Sequence, residues 1–460
     1  MKIAVLNGSP KGDRSVTMQY VRFIGKHFPE VEITIHNVAH QCGRYERDEK
    51  AFDAVMKDIE MSDAVLWGFP VYFFLVPSPY KRFIELIRER GAESVFRNRY
   101  AAVLTTSIHF YDHTAHSYLH AICDDLQMRY AGSFSADTED LLKEEGRKSL
   151  LMFAEDLLES IKSGTPLMKA HAPIAVPQHS YKPGVSESRA ATGKKRVLIV
   201  TDCRDKESNL AGMTEYLRNC FTGHVEVINL HDVNIKGGCL GCVKCSYDNR
   251  CVYQEHDGYH EFFMGRLRKA DILIFAGTIT DRYLSSRWKL FFDRSFFNNH
   301  TPALRGRQIG FIISGQLSAV PHLKQILEAY TELQECGIID FVTDECGDSG
   351  EIDRALQSFA VRAARLAESG YVKPATFLGV ASGKIFRDAI YGRYRFPFRA
   401  DHIYYRTHGK YDFPQNNLAI LARNALLSAL VSIPPIRKKL YNGEMEKEML
   451  RPYEDILKKA

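Results

Sequence analysis

The chain repeats itself. Residues 62–86 (SDAVLWGFPVYFFLVPSPYKRFIEL) align without a gap to residues 270–294 (ADILIFAGTITDRYLSSRWKLFFDR) at an offset of 208, so that Asp63 meets Asp271, Ser78 meets Ser286 and Lys81 meets Lys289. Earlier in each half, KIAVLNG from Lys2 meets RVLIVTD from Arg196 at an offset of 194. Such self-similarity means one supersecondary unit built twice. Within each unit short apolar runs alternate with amphipathic helical stretches. The strand candidates are 3–7, 32–37, 64–68, 101–106 and 132–135, then 196–201, 225–229, 272–276, 310–314 and 338–342. Near-continuous apolar strands are those covered on both faces, which predicts two tandem α/β units, each a doubly wound five-stranded parallel sheet.

The two offsets differ by fourteen residues, which places an insertion between the second and third strands of the second half. That insertion carries Cys239, Cys242, Cys245 and Cys251 in the run GCLGCVKCSYDNRC. The spacing C-x2-C-x2-C-x5-C gathers four soft ligands round one small volume. It suits an iron–sulfur cluster held by four thiolates. A structural zinc ion, which more often joins two separate C-x2-C knuckles, and a set of redox-active thiols are the alternatives.

The 460 residues exceed what a single core usually serves. The expected organisation is a first unit at 1–164, a linker at 165–195 rich in Pro, Ser, Ala and His, a second unit at 196–370, and a mainly helical, aromatic and basic appendage at 371–460. A net charge of +5 gives no case for nucleic acid or an anionic membrane as partner. The longest apolar run, 418–433, is interrupted by Arg423 and Asn424 and is expected to bury against the body or a second subunit. Ten cysteines without a recognisable signal peptide point to a reducing, cytoplasmic setting.

Ligands of open parallel sheets bind beyond the carboxyl ends of the strands. After the first strand the loop runs Gly8-Ser9-Pro10-Lys11-Gly12-Asp13-Arg14-Ser15-Val16-Thr17. Its hydroxyls, backbone amides and two cations at a helix start make a phosphate cradle from Ser9, Lys11, Arg14, Ser15 and Thr17. A capped helix start is the plainer reading of the same residues. After the third strand, Pro70, Val71, Tyr72 and Phe73 present an aromatic loop suited to a flat ring. After the fourth, Thr106, Ser107 and His109 add donors. A phosphate loop with two ring-facing loops is what a mononucleotide flavin requires.

At these residues the chain resembles the flavodoxin-like NADPH-dependent FMN reductase family. NGSPKGDRSVT is similar to that family's phosphate loop and GFPVY to its second flavin loop. GCLGCVKCSYDNRCVYQEHD with KLFFDRS resembles the iron–sulfur flavoproteins. The resemblance covers about 1–160 and 196–345. It implies flavodoxin-like sheets, FMN, a 4Fe–4S cluster on the four cysteines and NAD(P)H as electron donor. The first half departs from the pattern with Glu85-Leu86 where the family has Asp-Arg; the second half keeps Asp293-Arg294. The second phosphate loop, 202–209, keeps only Ser208 and Asn209 and has gained acids, so the first half is expected to be the better flavin site.

The expected function is an NAD(P)H-dependent FMN oxidoreductase that passes electrons between a nicotinamide or ferredoxin-type carrier, FMN and the cluster. The tandem halves would pack as a pseudo-dimer, and a homodimer is compatible. A non-enzymatic electron carrier and a flavodoxin-like scaffold with structural zinc are the rival readings. His109, His113, His116 and His120 are read as lining a helix beside the flavin loop rather than as metal ligands.

Overall fold

The computed structural model describes residues 1–175, 179–186 and 189–459. Parts of the 165–195 linker therefore lie outside the described residues. Five strands form the first sheet: β1 (Lys2–Asn7), β2 (Glu32–His36), β3 (Ala64–Pro70), β4 (Tyr100–Ser107) and β5 (Arg129–Asp137). Five more form the second: β6 (Val197–Thr201), β7 (Val225–Asn229), β8 (Ile272–Thr278), β9 (Gln308–Ser314) and β10 (Gly337–Thr343). Both sheets are wholly parallel and share one strand order, β2-β1-β3-β4-β5 and β7-β6-β8-β9-β10. This is the flavodoxin-like order, with the strand sequence reversing beside β1 and β6.

The central strands β3, β4, β8 and β9 are buried along most of their lengths, as their unbroken apolar sequences require. The outer helices of each half close a separate core, one round Ile3, Val21 and Leu157 and one round Ile199, Leu217 and Phe359. The inner face differs. Leu6, Trp67, Tyr80 and Phe83 of the first half belong to one apolar cluster with Trp288, Phe291 and Phe292 of the second.

Across this shared core the helices Ser78–Glu89 and Ser286–Ser295 exchange equivalent contacts. Glu85, held by buried Lys81 at 2.8 Å, accepts the Ser286 N–H at 2.6 Å. At the matching positions Asp293, ion-paired with buried Lys289, accepts the Ser78 N–H at 2.7 Å. Each carboxylate thus receives one of the unsatisfied amides at the start of the opposite helix. The repeat at an offset of 208 is a pairing code for the two halves.

The same offset relates two tight turns. Phe73 and Phe74 (φ 45° and 69°) turn the chain between bridged Tyr72 and Leu75; Asp281 and Arg282 (φ 46° and 63°) do so between Thr280 and Tyr283. Neither pair contains glycine, so each turn is a costly conformation held by its surroundings. In the second half the surroundings are ionic: buried Arg282 bonds Asp125 through two nitrogens, at 2.6 and 2.8 Å. In the first half they are aromatic, Phe73 stacking near Phe292 and Phe74 meeting Phe110 and Tyr111.

After the second sheet, helix Ser349–Ser369 is followed by Phe377–Tyr391 and Arg399–Thr407. Two compact units divide the chain at residue 402. The second, 403–460, contains helix Leu418–Val431, of which no residue is buried, contrary to the expectation for that apolar run.

Candidate functional site

A cavity of about 370 Å³ opens at the carboxyl ends of β1, β3 and β4. Nine of the sequence-predicted flavin residues line it: Ser9, Lys11, Ser15, Pro70, Val71, Tyr72, Phe73, Thr106 and Ser107. Its size and its mix of apolar wall with a few convergent polar groups are those of a small-molecule site.

The loop after β1, on one wall of the cavity, bonds to itself. Asn7 Oδ1 accepts the Ser9 N–H at 3.0 Å, and Ser9 Oγ accepts the Lys11 N–H at 3.2 Å. Ser15 caps helix Val16–His27 by accepting the Met18 N–H at 3.2 Å. Gly8 is required because a Cβ there would overlap the Tyr80 ring and Phe69. Thr17 lies beneath the cavity wall, its hydroxyl 2.7 Å from that of Thr106, and ties the helix to β4. Arg14 is exposed, and His109 is engaged by Asp112 at 2.9 Å; neither lines the cavity. Ser208 and Asn209 are elsewhere. Ser208 caps helix Asn209–Asn219, and Asn209 donates to Asp344 and to the His179 carbonyl.

The equivalent opening of the second half holds Asp202 and Asp205 with Ser208 on its wall. Asp202 occupies the place of Gly8, and burial pushes its carboxyl above the ordinary value. That opening mixes Asp202 and Asp205 with Arg204, Lys236 and Arg287, where the first-half cavity offers hydroxyls and a lysine.

The wall facing the first-half loops comes from the second half. Cys239, Gly241 and Val243 line the same cavity as Ser9, Lys11 and Tyr72. A Cβ at Gly241 (φ 61°) would overlap the Tyr72 hydroxyl, so the cysteine loop and the aromatic loop touch. Burial, reinforced by the neighbouring thiols, pushes Cys239 and Cys245 up to about 12. Cys239, Cys242 and Cys251 each act on Cys245, so the four sulfurs face one another's fields. Gly241 donates its N–H to Cys239 Sγ at 3.4 Å, and Val243 (φ 60°) holds a left-handed conformation unusual for a β-branched residue. Amides turned toward sulfur by left-handed residues are the backbone pattern of Fe–S sites. The donor set, its shielding and its amide contact fit a thiolate-held metal group.

The loop is clamped at its base. Arg294 bonds Asp257 through both terminal nitrogens, at 2.5 and 3.1 Å, bonds the Gly237 carbonyl at 3.1 Å and lies over the Tyr253 ring. Leu86 fills the matching position in the first half, where there is no inserted loop to clamp. The departure from Asp-Arg noted in the sequence has this physical basis.

The roof comes from the aromatic and basic appendage. Phe386, Ile390, Tyr394 and Phe398 close the cavity, together with Phe296 and His300. The roof is fastened to both halves: Arg393 to Asp137 at 2.7 and 2.8 Å, and His300 Nδ1 to buried Asp401 at 2.6 Å. The aromatic–basic run 386–411 was the available signal. Arg393 holds the Asp137 carboxyl below the ordinary value, chiefly through these hydrogen bonds, against burial. The pair is partly exposed, so its worth is modest. Arg393→Ala is expected to speed flavin release about two- to fivefold, read by stopped-flow fluorescence. Because the native carboxyl is depressed, the fastening is complete above a pH of about 3.9 and is lost as pH falls through the lowered value.

The histidine series does not converge. His116, pushed down to about 4 by burial, faces the Thr105 hydroxyl at 2.7 Å, while His113 lies 3.2 Å from Gln325. His120 meets Asp124 and His171, whose ligand atoms lie within 4.8 Å of one another. There Asp124 accepts the Ala170 and His171 amides and so pins the start of the linker.

Residues 1–139 match the family model for NADPH-dependent FMN reductase. No curated protein matches the chain. Among solved structures, general stress protein 14 from Treponema denticola in complex with FMN is 16% identical, with 36% of this chain and 99% of that one covered and a TM-score of 0.27. The flavoenzyme NAD(P)H:(acceptor) oxidoreductase FerB from Paracoccus denitrificans is 18% identical, with 35% and 97% covered and a TM-score of 0.28. An FMN-dependent NADH-azoreductase from Bacillus anthracis, in complex with FMN, is 16% identical, with 36% and 99% covered and a TM-score of 0.25. The matched residues 1–139 carry the loop after β1 and the two loops after β3 and β4, and in this region the chain is similar to the NADPH-dependent FMN reductase family.

Proposed function

We propose that the protein is an FMN-dependent NAD(P)H oxidoreductase that binds its flavin in the first half and a 4Fe–4S cluster on Cys239, Cys242, Cys245 and Cys251. The observation that carries this reading is the single cavity walled by the first-half flavin loops on one side and by Cys239 and Gly241 on the other. Bound there, FMN supplies hydride acceptance and single-electron release, and the cluster supplies single-electron transfer. The chain's own residues bind and orient. The amides and hydroxyls round Ser9 and Ser15, with Lys11, hold the phosphate. Tyr72, Phe73 and Phe110 confine the ring, and the 386–398 roof excludes water. Packing of the halves as a pseudo-dimer brings the cluster loop to the flavin loops.

The C-x2-C-x2-C-x5-C spacing is what supports a cluster, and a zinc ion on the same four thiolates is the second reading. Protein purified without oxygen is expected to show flavin absorbance, about one FMN, and iron and sulfide in equal amounts. It is also expected to oxidise NAD(P)H in the presence of an electron acceptor. Zinc without iron would replace the cluster reading with the scaffold reading. Flavin and iron without nicotinamide turnover would mark a carrier accepting electrons from a separate reductase.

A further inference from the structure

Within the second compact unit, residues 403–460, one helix is apolar and exposed along nearly its whole length. Helix Leu418–Val431 has polar side chains at only three of fourteen positions, Arg423, Asn424 and Ser428. Leu418, Ile420, Leu421, Leu426, Leu427 and Leu430 are between 39% and 77% exposed. At about 100° per residue, Leu421, Leu426 and Leu427 point in three directions roughly 100–140° apart. A helix that packs on a protein shows one apolar stripe; one that is apolar all round needs apolar surroundings on every side. A partner covering one face would leave the other leucines in water.

Charge identifies those surroundings. Between Arg406 and Lys439 the chain carries six cations (Arg406, Lys410, Arg423, Arg437, Lys438, Lys439) and one acid, Asp412. Arg437, Lys438 and Lys439 are exposed and occupy the last turn of the short helix that follows, Pro434–Lys439. An apolar segment followed at once by a basic cluster complements acyl chains beneath anionic headgroups. Beyond it, Met449, Leu450, Tyr453, Ile456 and Leu457 form one exposed stripe along helix Met445–Leu457, as an in-plane helix would.

Length decides how the segment docks. Among the described residues no single helix is long and apolar enough to cross a membrane, and the chain bends by 99° between Leu418–Val431 and Pro434–Asn442. Fourteen residues rise about 21 Å, short of a hydrocarbon core of about 30 Å. We propose that residues 418–439 dock the protein on an anionic phospholipid surface, with the leucine helix sunk into one leaflet and Arg437, Lys438 and Lys439 among the headgroups. This surface shares no residue with the flavin and cluster sites, and a failure of one reading leaves the other standing.

The test is flotation of the full-length protein with phosphatidylcholine vesicles, with and without about a third phosphatidylglycerol. The wild type is expected to float with the anionic vesicles, and less so as salt rises. Replacing Arg437, Lys438 and Lys439 together by glutamine should weaken binding about a hundredfold. Leu426→Glu with Leu427→Glu should abolish it while FMN content stays at the wild-type value, which controls for folding. Flotation that ignores these substitutions overturns the proposal. So does a wild-type protein that leaves anionic vesicles untouched, whether monomeric or paired through these leucines with a second copy.

Discussion

Cys242→Ala is expected to reduce iron and sulfide to background while FMN per chain stays unchanged. Cys242 is the exposed member of the four thiols, so its removal opens no hole in the core and costs the fold little. It does remove one of four ligands, and the remaining three leave a position that buffer thiols or water must fill. The first-half loops on the opposite wall draw their geometry from Ser9, Ser15 and the Tyr72 turn, none of which hydrogen-bonds to Cys242. Metal and flavin counts on the same anaerobic sample check the outcome. Loss of FMN together with iron would show that the cluster loop is part of the flavin cradle rather than its neighbour. Cys245→Ala should also lose iron, but with lower stability, since its sulfur is buried 3.8 Å from the Phe296 carbonyl and 3.7 Å from Asn299 Oδ1.

Asp293→Ala is expected to destabilise the protein by about 3–5 kcal/mol, the cost of stranding a buried charge. Lys289 is fully buried and ion-paired to Asp293, and it donates a hydrogen bond to the Tyr72 carbonyl at 2.9 Å. The same substitution removes the acceptor of the Ser78 N–H at the start of the facing helix. The damage therefore falls on the join between the halves and, through Tyr72, on the flavin loop. Urea unfolding measures the loss, and weaker FMN retention should accompany it. Replacing the pair together, Lys289→Met with Asp293→Leu, should recover most of the stability, because buried ion pairs and apolar replacements are often near equal. A single-site effect below about 1 kcal/mol would mean that water reaches Lys289 and that the join is looser than its burial indicates.

Much of this was legible beforehand for one reason: local chemistry repeats. The strand runs, the offset of 208 between 62–86 and 270–294, the phosphate-loop composition and the cysteine spacing are properties of neighbouring residues. Periodicity and duplication report them without any long-range contact. The preference for the first half as flavin site also rested on a local fact, acids at 202 and 205 against hydroxyl and lysine at 9 and 11. Arg14 and His109 were harder, because a residue type names a chemistry and not a direction. Arg14 turns to solvent, and His109 is taken by Asp112.

Sequence alone determined that two flavodoxin-like sheets exist and that one of them carries four cysteines in an inserted loop. Only the tertiary structure decided that this loop faces the other half's flavin loops, that Glu85 and Asp293 cap opposite helices, and that the 386–398 segment roofs the cavity. Those arrangements join residues some 200 positions apart. They depend on which faces of two folded bodies bury one another. Spacing along a chain records which groups are neighbours in sequence, and burial of a shared core decides which become neighbours in space.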